Sequence, residues 1–167
     1  NGAAYLVLGD SLGSSSTVDL SDADYKFVGE SDNDWAGSAV APAGDFDGDG
    51  LDDILIGAFQ NDYSGSAYLV LGSSLGSPTT RNLSTADVKF VGEYGSHVGE
   101  TLSNVGDIDG DETADFLFGG PDSDWSSVEG AAYLVLGSTI GTSSTIDLST
   151  EAIKFSGESE GDYAGSA

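Results

Sequence analysis

The sequence is periodic, and the period limits the fold before any single residue is considered. Gly2-Ala3-Ala4-Tyr5-Leu6-Val7-Leu8-Gly9 returns as Gly65-Ser66-Ala67-Tyr68-Leu69-Val70-Leu71-Gly72 and as Gly130-Ala131-Ala132-Tyr133-Leu134-Val135-Leu136-Gly137, at offsets of 63 and 65 residues. Lys26-Phe27-Val28-Gly29-Glu30 recurs as Lys89-Phe90-Val91-Gly92-Glu93 and Lys154-Phe155-Ser156-Gly157-Glu158. A ring followed two residues later by glycine occurs as Trp35/Gly37, His97/Gly99 and Tyr163/Gly165. Self-similarity of this kind marks a supersecondary unit that buries its apolar surface against copies of itself.

Each unit reads as four strands, roughly 37–43, 53–59, 66–71 and 88–92 in the best-defined copy. The Tyr-Leu-Val-Leu runs are apolar at consecutive positions, which predicts sheets covered on both faces. Glycine-rich stretches at 72–77 and 137–144 supply turns between strands. Small four-stranded antiparallel sheets stacked face to face around an axis are the blades of a β-propeller. The expected fold class is therefore all-β, a partial propeller of about two and a half repeats. Residues 1–34 are the end of a first repeat, 35–97 and 98–160 are complete repeats, and 161–167 begin another.

Between the first and second strands of each complete unit lies an acidic loop. Asp45-Phe46-Asp47-Gly48-Asp49-Gly50-Leu51-Asp52-Asp53 and Asp107-Ile108-Asp109-Gly110-Asp111-Glu112-Thr113-Ala114-Asp115 carry Asp at positions 1, 3, 5 and 9. Calcium is a hard cation that takes six to eight oxygen ligands, and alternating Asp residues around a turn converge several carboxylates on one point. The expected ligands are Asp45, Asp47, Asp49 and Asp53 with the Leu51 carbonyl at one site. At the other they are Asp107, Asp109, Asp111 and Asp115 with the Thr113 carbonyl. Position 6 is Gly50 in one loop and Glu112 in the other. Glycine tolerates positive φ there, whereas Glu is strained if the turn is kept, so the second site is expected to bind more weakly.

An EF-hand starts similarly but needs a bidentate Glu at position 12 and flanking helices. That position falls on Ile56 and Phe118. The segments that follow each loop, Ile54-Leu55-Ile56-Gly57 and Phe116-Leu117-Phe118-Gly119, read as strands.

At 167 residues with 38% hydrophobic content the chain can support a core. Four Lys plus Arg against 29 Asp plus Glu give a net charge of −25, a field that repels phosphate backbones and anionic lipid surfaces and excludes nucleic acid as a partner. There is no cysteine, hence neither a disulfide framework nor a thiol nucleophile. Acid-rich calcium loops fill at the millimolar calcium found outside cells, which places the protein there, secreted or on the cell surface. No signal peptide or apolar run of transmembrane length is present, so membrane insertion is not expected, and the start at Asn1 suggests a processed or excised piece. Asn82-Leu83-Ser84 is a glycosylation sequon, a match short enough to arise by chance.

Taken together, these residues resemble the FG-GAP repeats of integrin alpha subunits and related bacterial surface proteins. The Phe-Gly step of that motif corresponds to Ala36-Gly37, Val98-Gly99 and Ala164-Gly165, and the Gly-Ala-Pro step to Gly57-Ala58-Phe59 and Gly119-Gly120-Pro121. The resemblance implies a calcium-stabilised extracellular propeller serving adhesion or protein interaction. Its size departs from the family, since propellers take roughly four to eight blades and a free sheet edge invites pairing with another chain. The chain is then either an excised piece of a longer propeller or a subunit whose copies associate through open blade edges, and a head-to-tail contact that fails to close would give a filament.

Ring positions Trp35, His97 and Tyr163, and likewise Tyr5, Tyr68 and Tyr133, repeat in phase and are expected to pack between blades. Lys26, Lys89 and Lys154 are read as charge neutralisers. Catalysis is not expected: His97 is the one histidine, no Gly-x-Ser-x-Gly elbow occurs, and Asp52/Asp53, the paired carboxylates a glycosidase would need, sit at the end of a metal loop. The alternative from another class is the non-catalytic part of a secreted hydrolase.

Overall fold

The computed structural model describes residues 2–13, 17–77, 79–121 and 129–167, so the parts of the expected repeats at 1, 14–16, 78 and 122–128 lie outside the described residues. In chain order the strands are β1 (Ala3–Leu6), β2 (Tyr25–Val28), β3 (Val40–Gly44), β4 (Asp53–Ala58), β5 (Ser66–Val70), β6 (Thr80–Asn82), β7 (Val88–Val91), β8 (Thr101–Gly106), β9 (Asp115–Gly120), β10 (Ala131–Val135), β11 (Thr145–Asp147) and β12 (Ile153–Ser156). Among the described residues helix is confined to short turns, including α1 (Gly137–Ile140), within a stretch expected as an open turn, and α2 (Leu148–Glu151). The chain is all-β.

Among the described residues three sheets form, ordered β1-β2-β6, β11-β7-β5-β4-β3 and β12-β10-β9-β8. The expected four antiparallel strands are β3, β4, β5 and β7 in the middle sheet and β8, β9, β10 and β12 in the third. One expectation needs correction: the sheets are not purely four-stranded and antiparallel. Strand β6 leaves the second unit to pair parallel with β2 of the first, and β11 leaves the third to pair parallel with β7 of the second. Each unit thereby closes the outer edge of the sheet before it, leaving fewer unpaired backbone groups. Asn82, the sequon residue, reinforces this strap. Its Nδ2 donates to the Gly29 carbonyl at 2.9 Å, and its Oδ1 accepts from Ser84 N, capping the turn that follows.

Alternation along β4 and β5 sends successive side chains to opposite faces, and both faces are covered. Leu55, Ala67 and Leu69 join Phe90, Phe116, Phe118, Tyr133 and Val135 between the second and third sheets. Ile56, Tyr68 and Val70 join Ala4, Phe27, Ala36 and Leu83 between the first and second. The ring centroids of Phe90 and Phe118 lie 4.7 Å apart, those of Phe116 and Phe118 6.2 Å. Burial of each such ring contributes about 2–3 kcal/mol.

The repeated lysines do more than dilute negative charge. Lys89 pairs with Glu30 of the preceding unit and Lys154 with Glu93, each at 2.7 Å. Each also stands over the tyrosine opposite it on the neighbouring strand, Lys89 at 5.6 Å from the Tyr68 ring and Lys154 at 5.6 Å from that of Tyr133. Burial works against the Lys154 charge, but its bond to Glu93 and the neighbouring Tyr133 outweigh this and raise its pKa. We expect Lys89→Met to cost about 2 kcal/mol because it strands a half-buried Glu30 carboxylate. Lys154→Met, at a more open pair, should cost less than about 1 kcal/mol. Urea midpoints at neutral pH measure both; equal losses would contradict the burial argument.

Candidate functional site

Both acidic loops join the first two antiparallel strands of a unit: 45–53 links β3 to β4, and 107–115 links β8 to β9. Asp side chains accept backbone N–H groups a few residues on, which winds the chain into a turn without a helix. In the first loop Asp45 accepts from Gly50 N at 3.0 Å, Asp47 from Asp49 N at 3.2 Å and Asp49 from Leu51 N at 2.8 Å. In the second, Asp107 accepts from Gly110 N, Asp111 N and Glu112 N, Asp109 from Asp111 N, and Asp111 from Thr113 N. The two loops are built on one plan.

Asp45, Asp47 and Asp49 bring one carboxylate oxygen each within 4.8 Å of one another, and so do Asp107, Asp109 and Asp115. Six of the expected carboxylates therefore converge in two groups of three. The groups differ in membership, since the position-9 residue joins the second but not the first, and Asp111 stands outside it. Leu51 and Thr113, expected to contribute carbonyls, lie inside their loops with their N–H groups held by Asp49 and Asp111.

Position 9 has a further task that the sequence did not disclose. Asp53 is buried, and its two oxygens accept Phe46 N and Gly72 N, each at 2.7 Å. Asp115 repeats this with Ile108 N and Gly137 N, each at 2.8 Å. One side chain thus ties the start of its loop to the turn after the third strand. A second unforeseen link is Phe46, whose ring lies 5.4 Å from that of Phe116 across the junction between units, so the first loop is anchored in the core. Ile108, at the same place in the second loop, is exposed.

The carboxylates lie in a strained electrostatic setting. Burial pushes the Asp53 carboxyl above the ordinary range, opposed by the N–H groups of Gly72 and Phe46. Desolvation, then the negative charge of Asp111, pushes Asp109 up. Asp107 is held below the usual value chiefly by Glu112 N–H, and Asp111 by the Ser138 hydroxyl and Thr113 N–H. Several anions that repel one another, all offering hard oxygen atoms, suit a divalent cation.

Glu112 has φ of 72°, matching the 90° of Gly50, so the turn is kept and the Glu is strained. Left-handed backbone costs a non-glycine residue about 1–2 kcal/mol, while glycine adds about 0.5–1 kcal/mol of unfolded-chain entropy. Glu112→Gly should accordingly give a net gain of about 0.5–1 kcal/mol, seen as severalfold tighter divalent-cation binding at the second loop. Calorimetric titration checks it, and unchanged affinity refutes the strain argument.

Of the repeated ring positions, His97 is buried while Trp35 and Tyr163 are more than half exposed. Phe59 links two of them, 5.8 Å from Trp35 and 6.2 Å from His97 between ring centroids. Tyr68 and Tyr133 are buried and Tyr5 is partly exposed. Among the described residues no helix is long and apolar enough to cross a membrane.

Residues 36–70 match the family model for the FG-GAP repeat. Over 126 residues the chain is 31% identical to integrin alpha-4 of Xenopus laevis; the match takes in 72% of this chain and spans 11% of the length of that relative.

Proposed function

We propose, from the premise that the chain belongs to the FG-GAP repeat family of integrin alpha type, that it is a calcium-binding β-propeller module working outside the cell as a scaffold for adhesion or protein interaction. The three sheets are then successive blades, the first of them incomplete, with boundaries near residues 35, 98 and 161. Two Ca²⁺ ions sit in the loops at 45–53 and 107–115, held by Asp45, Asp47, Asp49, Asp107, Asp109 and Asp115 with oxygens from Asp53, Asp111 and the Leu51 and Thr113 carbonyls. The observation that carries this reading is that both loops, at equivalent hairpins, converge three carboxylates, those of positions 1 and 3 among them in each.

The chain's own residues prepare the site. Asx turns pre-shape the loop, and Asp53 and Asp115 fasten it to the neighbouring turn. A bound cation supplies the charge that lets these carboxylates stay close, so metal affinity becomes folding free energy. The module is non-catalytic. Calcium titration of the chelator-stripped protein tests the reading: two uptake events abolished together by Asp47→Ala and Asp109→Ala support it, and no uptake at millimolar calcium overturns it.

A second reading, association of copies, is favoured by the end sheets. Among the described residues the exposed strand β12 has one unpaired edge, where β2 and β7 each carry a parallel strand. Light scattering over a concentration series decides: growth in mass supports association, and a strictly monomeric folded species refutes it.

A further inference from the structure

Two buried side-chain polar atoms have no hydrogen-bond partner among the described residues, Asn61 Nδ2 and Tyr68 Oη, the latter between the first and second sheets. Neither residue can turn to water, since Asn61 is 1% and Tyr68 0% exposed. Asn61 is fixed on its other side: its Oδ1 accepts from the Ser66 hydroxyl at 3.0 Å, and its backbone carbonyl accepts from Ser64 N and Gly65 N. Exchanging the amide nitrogen and oxygen does not help, because it gives Ser66 a donor and leaves the oxygen alone instead. Ser66 and Tyr68 are two residues apart on β5 and so face the same way. The polar groups beside the Tyr68 hydroxyl are those of Ser66 and Glu30. Both orphan atoms thus border Ser66.

We infer that this junction holds one structural water molecule, accepting a hydrogen bond from Asn61 Nδ2 and bonded to the Tyr68 hydroxyl. The surroundings select a neutral occupant with both donor and acceptor capacity. An amide N–H repels a cation, and so does the Lys89 ammonium 5.6 Å from the Tyr68 ring. An anion is repelled by the charges of Glu30 and Asp34, both of which Tyr68 senses. Water also meets the usual requirement of two to four polar partners, and immobilising one molecule costs less than leaving two buried groups unpaired. In the next unit Ala131 stands where Ser66 would be and offers no hydroxyl to fix an amide. The water therefore seats the first and second sheets beside the Glu30–Lys89 pair.

A high-resolution crystal structure of the calcium-loaded chain tests the inference, backed by oxygen-17 magnetic relaxation dispersion to count long-lived waters in solution. Expected are one ordered oxygen within hydrogen-bond distance of both Asn61 Nδ2 and Tyr68 Oη, and a count reduced by one in Tyr68→Phe. A dry site, or Asn61 Nδ2 bonded directly to a protein carbonyl, overturns it, as does an unchanged count in the variant. The wild-type map decides even if Tyr68→Phe fails to fold.

Discussion

Stripping calcium from the protein is expected to lower its thermal midpoint by about 10–20 °C. The figure follows from two sites, each worth about 2.7 kcal/mol when the ion is present at a hundredfold excess over Kd, and from a shift of roughly 2–4 °C per kcal/mol for a chain of this size. The direction follows from electrostatics. A chain of net charge −25 holds Asp45, Asp47 and Asp49 within 4.8 Å of one another, and without a cation the loop relieves that repulsion by opening. The first loop has more to lose than its own order, since Phe46 leaves its place against Phe116 when the turn unwinds, and the contact between sheets is weakened with it. Asp47→Ala should therefore remove more than half of the calcium-dependent stability, and Asp109→Ala less. Scanning calorimetry of the three proteins with calcium and with chelator gives the comparison. An unchanged midpoint in chelator means that the metal is not structural, and equal losses in the two variants mean that Phe46 does not couple its loop to the core.

Much of this arrangement could be read from residues, for identifiable reasons. Strands β4, β5, β9 and β10 announce themselves because consecutive apolar residues bounded by glycine have few other uses, and burial on both faces follows from the same runs. The acidic loops were legible because Asx turns and cation cages draw on the same spaced Asp pattern. What escaped notice is what depends on a neighbour. Thr80-Arg81-Asn82 is short, polar and without alternation; it becomes a strand only because β2 presents an open edge. The Lys-Phe-Val-Gly-Glu motif holds both halves of an ion pair, but its Lys reaches back to one unit and its Glu forward to another, and identical copies give no sign of that direction. Asp53 looked like one more ligand. It is buried, and of the two N–H groups it accepts one comes from Phe46 in its own loop and the other from Gly72, 19 residues away. Asn61 and Tyr68 gave no local signal, because an orphaned polar atom is defined only by what surrounds it.

Gly57→Ala is expected to be among the most damaging single-methyl additions the protein can receive, at about 3 kcal/mol or more. The backbone conformation of Gly57 is ordinary, so the reason is space. A Cβ there would overlap the carbonyl oxygen of Gly99 and lie 3.0 Å from its carbonyl carbon, both backbone atoms that cannot swing aside. Gly57 also lies within the hydrogen-bonded frame, donating to the Ala39 carbonyl and accepting from Gly37 N, each at 2.8 Å, so it cannot retreat. The next unit repeats the approach, where a Cβ on Gly119 would overlap the Gly165 carbonyl oxygen and the Thr101 hydroxyl. This gives the repeat motif a physical meaning: the glycine of the step after the acidic loop in one unit meets the glycine of the opening step in the next, and the two sheets come together there because neither has a side chain. Gly119→Ala should then cost as much as Gly57→Ala. Gly76→Ala, which meets nothing within 4 Å, should be neutral or stabilising by about 0.4–1 kcal/mol. Urea midpoints of the three variants carry the test. A Gly57→Ala protein as stable as Gly76→Ala would mean that the sheets stand further apart than this contact requires, and the explanation of the motif would fall with it.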